Sequence, residues 1–245
     1  MPKRRDLDTL LRDWVYRPDE VLARIIKGSD GRQIVQMRID LGILQMELTD
    51  RPDGQRPHGE RTYFDYLIRE SLDKGDEFTM SPEQCQQADQ EFAQFYQRRI
   101  SWLSLREFRR AVNDADHTLA FMDFVKEHSP DDDWTIGHEQ YRPFVLFHRV
   151  QASVFAMLDD EGAEAAIAEL NRGLTQYKKI YAEYEAEEKY EEDEFVVRLN
   201  ELKESLRKHF RVDRTLQEQL DEAVAKEQYE LAAKLRDKLA KKRKT

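Results

Sequence analysis

Ser81-Pro82-Glu83-Gln84 opens the stretch that decides the fold. A serine ahead of a proline, with a glutamine three residues on, is a helix start. From there the helical pattern runs almost unbroken to about Tyr184. Four segments are expected within it: 82–103, 106–128, 139–158 and 163–184. The stretches 131–137 and 159–162, rich in Asp and ending on Gly137 and Gly162, read as connections. Short connections between long amphipathic helices mean antiparallel packing. The whole chain supports a mainly α class, because its 245 residues hold only 9 Gly and 7 Pro among many helix formers.

Ala166, Leu170 and Gly173 sit at the second-helix spacing of a tetratricopeptide repeat. The preceding helix lacks that repeat's Trp–Leu–Gly–Tyr series, so a TPR-like body is one form the bundle could take. Working back toward the start, the pattern is mixed. Arg17-Pro18-Asp19-Glu20 suits a helix start, with Val21, Leu22, Ile25 and Ile26 as its stripe and Gly28 as its stop. The period then changes to two. Val35, Met37, Ile39 and Leu41 alternate with polar residues, and so do Leu44, Met46 and Leu48 after a phase slip at Gly42-Ile43. Paired strands are expected at Gln33–Ile39 and 43–48. A lone ribbon needs a cover, which the helix begun by the capping-box spacing Thr62 to Asp65 can supply. The loop 50–59 between them, with two Arg and two Asp, reads as a solvated turn, with anion binding as its functional alternative.

Residues 183–194 carry eight carboxylates and one lysine, the pattern of a solvated helix or linker. Beyond them Phe195, Leu199, Leu202, Leu206 and Phe210 form a narrow apolar stripe. The expected organisation is therefore an N-terminal helix plus β-hairpin region over 1–75 and a helical body over 76–184. An acidic linker and helix over 185–212 and a terminal helical hairpin over 213–245 follow.

That terminal stretch holds two stripes: Leu216, Leu220 and Ala223, then Tyr229, Ala232, Ala233, Leu235, Arg236 and Leu239. No helix breaker separates them. A helical hairpin this short buries little apolar surface alone, which leaves the rest of its stripe for another copy or a partner. The string Tyr229-Glu230, Ala232-Ala233, Leu235-Arg236-Asp237 resembles the UVR motif, also called the UvrB/UvrC motif. The resemblance implies docking: in that family the hairpin pairs excision-repair subunits, and it recurs in Clp-type chaperone ATPases and regulators of protein-arginine kinases. Chemistry does not transfer with it. The chain has no GxxxxGK[ST] phosphate loop, and its single Cys85 excludes the paired CxxC zinc sites of the kinase regulators. The stretch 39–47 with Arg51-Pro52-Asp53-Gly54 looks like the front end of uncharacterised bacterial UVR-motif proteins, which implies no activity.

Two clusters stand as rivals. Asp114 and His117, one turn apart, could join His148, His138 or Glu139 in a carboxylate–histidine metal site, although a dimetal bundle needs a second such copy. Arg142, His148 and Arg149, among Phe144 and Phe147, could line a small-ligand groove; a core helix with outward arginines is the plainer reading. The basic run Lys241-Lys242-Arg243-Lys244 offers a contact for nucleic acid, but a net charge of -10 opposes that attraction. No apolar run approaches a membrane span, and Asp6 and Asp8 follow the basic opening where a signal peptide needs an apolar stretch. The expectation is a cytoplasmic, non-enzymatic adaptor without a cofactor, docking a protein partner or itself through the terminal hairpin. The alternatives are a DNA-repair accessory factor and a ligand- or metal-binding enzyme.

Overall fold

The structure is a computed structural model that describes residues 6–242. It divides between Ala152 and Ser153 into two compact units. That boundary falls inside a helix, well before the acidic run where composition alone would draw a division.

In the first unit, helix α1 (Asp8–Asp13) precedes three strands, β1 (Leu22–Lys27), β2 (Gln33–Ile39) and β3 (Gly42–Glu47). They pair antiparallel in the order β1-β2-β3. The helix expected from Val21 to Gly28 is thus a strand. Its i, i+3, i+4 apolar spacing imitates a helix, but so short a segment gains little from helical nucleation. Pairing Leu22 with Arg38 through Lys27 with Gln33 satisfies its backbone instead, and Ile25 and Ile26 suit the pleated surface. The phase slip at Gly42 is the two-residue hairpin loop Asp40-Leu41, which joins Ile39 to its partner Gly42. With a neighbour on each side, β2 buries Ile34, Val35 and Met37.

Helix α2 (Tyr63–Lys74) is capped by Thr62, whose Oγ1 accepts from the Asp65 amide at 3.0 Å. Helix α3 (Pro82–Ser104) starts with a full capping box: Ser81 and Gln84 exchange bonds of 2.8 and 3.3 Å. Helix α4 (Phe108–His128) returns antiparallel. Tyr63, Leu67, Phe78, Met80, Cys85, Ala88, Phe121 and Val125 form one apolar cluster, with Phe64, Phe92, Phe124 and Trp134 packed on it. The stretch read as a connection from Asp131 contains a short helix, α5 (Asp132–Glu139). Asp131 caps it by accepting from the amides of Asp133 and Trp134. Helix α6 (Arg142–Glu161) crosses the division.

The second unit holds α7 (Ala163–Glu183), α8 (Glu194–Phe210), α9 (Leu216–Ala225) and α10 (Tyr229–Lys242). Its acidic run is more structured than a linker. A six-residue 3-10 helix, Glu187–Glu192, buries Tyr190. Asp193 caps α8, accepting from the Phe195 and Val196 amides at 2.9 Å each. Carboxylates at that position face the positive end of the helix dipole, so part of the like-charge run is stabilised locally. Along α7, Ala166, Ile167, Leu170, Leu174 and Tyr177 are buried, and along α8 Val196, Leu199 and Leu206 are.

Candidate docking hairpin

The terminal hairpin is built from its ends inward. Thr215 and Glu218 form a capping box: the Thr215 amide donates to Glu218 Oε2 at 2.8 Å, and the Glu218 amide to Thr215 Oγ1 at 3.2 Å. The turn between the helices places Glu227 at φ 56°, left-handed backbone that a glycine would adopt more easily. The Gln228 amide closes it onto the Ala223 carbonyl at 2.8 Å. Glutamate in a glycine-like position is why turn chemistry was silent in the sequence.

Ala223, Ala232 and Leu235, exposed by only 2%, 7% and 4%, form the hairpin's own core with Leu216 and Leu220 against it. Leu239 is half-buried. The paired alanines, placed in one stripe by the sequence, separate here: Ala232 faces inward and Ala233 is exposed. Adjacent helical residues lie about 100° apart, so only one of two neighbours can face the partner helix. Tyr229, 69% exposed, Ala233 and Arg236 occupy one exposed stripe at spacings of four and three. Arg236 pairs only loosely with its neighbour Asp237, at 3.3 Å. Leu231 and Val224 add further exposed apolar surface. The basic run 241–244 lies outside what the structure describes, in its side chains or altogether.

The rival clusters are engaged elsewhere. Arg98 grips Asp114 with two bonds of 2.9 and 2.7 Å and donates to the Glu47 and Asp50 carbonyls. His117 turns away to Glu91, 3.1 Å from Nε2. The fully buried Glu91 carboxylate also accepts from the first amides of α2, those of Tyr63 and Phe64, at 2.6 and 3.1 Å. This lattice fastens α2 and the β3–α2 loop to α3 and α4. A cleft of about 290 Å³ opens beside it, lined by Arg61, Arg98, Arg110, Asp114 and His117 among others. Its charged groups already have partners, Arg61 with Asp65 and Arg110 with Glu107. In the loop 50–59, Arg51 is buried against Asp53, Glu91 and Gln94, so it is not presented to an external anion.

Arg142 is held by Glu139 and Asp123, and Arg149 by Asp116. His148 Nδ1 lies 3.4 Å from the buried Arg99 Nε. Burial, and then the adjacent guanidinium, push the imidazole down to about 4. Among the described residues no group of three or more His, Cys, Asp or Glu side chains is placed to hold a metal ion. No described helix is long and apolar enough to cross a membrane.

Residues 214–245 match the family described as UvrB/uvrC motif. No curated protein and no solved structure matches the chain.

Proposed function

We propose that the chain is a non-enzymatic adaptor that engages a protein partner through the outer stripe of its terminal hairpin. One observation carries this reading. The motif's residues sort into an inner set that makes the hairpin, Ala223, Ala232 and Leu235, and an exposed set, Tyr229, Ala233 and Arg236. Small, aromatic and guanidinium side chains in one helical row are suited to receiving another helix: the alanine permits close approach, while Tyr and Arg are the residue types that dominate interface energetics. The UvrB/uvrC motif match at the same residues supports it.

The test is affinity capture with the full chain beside a truncation ending at Val212. Partners bound by the full chain should be missing from the truncated one. Retention of every partner by the truncation would transfer recognition to the remaining helices.

A further inference from the structure

The joint between α8 and the hairpin is ionic. Among the described residues, the hairpin's apolar cluster draws on α9 and α10. Arg207 on α8 contacts Glu218 on α9, two side chains each largely buried. Glu218 has both oxygens engaged, one on Arg207 and the other on Thr215. Burial alone would raise this carboxyl, yet the Thr215 amide, the Asn171 side chain on α7, the Thr215 hydroxyl and the Arg207 guanidinium hold it below the ordinary glutamate value. Half-buried Lys203 adds a second cation facing the same carboxylate. Arg207 also bonds Glu204 at 2.8 Å, while its Nε is buried without a hydrogen-bond partner.

The intervening backbone has the form of a hinge. Helix α8 ends with Arg211 in the left-handed region, φ 54°, and the Val212 amide reaches back to the Arg207 carbonyl at 3.1 Å. Residues 212–215 then lead directly into α9. The Arg211 and Val212 amides both bond the Arg207 carbonyl, the way a left-handed residue closes a helix C-terminus.

We propose that Arg207 and Glu218 form an ionic latch holding the hairpin on α8, and that opening it frees the hairpin to swing about Arg211. The latch rests on the adaptor reading for its purpose, since a released hairpin offers α9 as well as α10 to a partner. Its mechanics are independent of any partner. An ionic joint weakens as salt screens it, whereas an apolar joint would not.

The linker carries its own probe, because trypsin cuts after Arg211 and Arg214. Cleavage there is followed by mass spectrometry in the full chain, for wild type, Arg207→Gln, Glu218→Gln and the control Glu222→Gln. Both latch variants should be cut about fivefold faster than wild type. Raising salt from about 0.05 to about 0.5 M should accelerate wild type only modestly, because a buried pair is screened less than an exposed one, and leave the variants unchanged. Glu222→Gln, which frees Arg214 from its ion pair, should leave cleavage after Arg211 at the wild-type rate. Arg207→Gln leaves the Thr215 capping box intact, so acceleration by Glu218→Gln alone would assign the effect to the cap and overturn the latch. Wild-type cleavage rates in both latch variants would overturn it too. Either failure leaves the adaptor reading standing, and loss of partner capture by the truncation is judged separately.

Discussion

His148 shows how a single side chain sets a condition on the first unit. Beside the buried Arg99 guanidinium it stays neutral, with its titration pushed from 6.5 to about 4. Between those values the unfolded chain binds a proton that the folded chain refuses, so stability rises with pH across that window. The contribution is therefore complete above about 6.5 and is lost as pH falls toward 4. The tryptophans, Trp14, Trp102 and Trp134, all lie before Ala152, so their fluorescence follows unfolding of this unit alone. Urea titrations at pH 7 and pH 4.5 should show ~1–3 kcal/mol of His148-dependent loss, and His148→Gln should remove that part. An equal pH response in both proteins would contradict the assignment. At this scale the sequence was legible for residue type and silent on partners. Asp114 and His117 share a helix face, but Arg98 and Glu91, which decide what each does, come from another helix with no sequence signal linking them.

At the scale of elements, capping chemistry was the most readable feature. Ser81 and Thr62 each start the helix their sequence context suggests. Thr215-x-x-Glu218 has the same capping-box spacing and marks the start of α9. The failure at Leu22–Lys27 has the opposite cause. Its stripe fits a helix, and only pairing with the next strand, β2, which begins at Gln33, makes it a strand. Ala166, Leu170 and Gly173 are buried along α7, as any packed helix face requires, so their spacing specifies burial and not a particular repeat. The hairpin turn stayed hidden because Glu227 fills a position where glycine would have announced it. Ala232→Glu tests the hairpin as an element. An unpaired carboxylate in so small a core costs several kcal/mol, more than a short helical pair can supply. Amide exchange should then lose protection throughout α9 and α10, while the tryptophan transition of the first unit stays in place. Persistent protection in α10 would show that Ala232 is not the close contact.

For the molecule as a whole, composition was a sound guide to class: few breakers and many helix formers gave a mainly helical chain with a small N-terminal sheet. The division of that chain was not readable, because it falls within the continuous helix α6 and no break in composition marks it. Charge behaves similarly. A net charge of -10 is spread over both units and disfavours nonspecific contact with nucleic acid, while the stripe on α10 is local and nearly uncharged apart from Arg236. The measurement that bears most directly on the adaptor account is the affinity of Ala233→Glu for a partner captured by the intact chain. Ala233 is exposed and outside the hairpin core, so the substitution should leave α9 and α10 folded while placing a charge and added volume in the docking contact. Overpacking alone costs about 1–3 kcal/mol, and roughly 1.4 kcal/mol is tenfold in affinity. The account predicts a Kd at least about tenfold weaker for Ala233→Glu and unchanged for Gln228→Glu, an equal charge change at the exposed turn. Wild-type affinity in Ala233→Glu, with the hairpin still protected from exchange, would contradict the account and place recognition elsewhere on the chain.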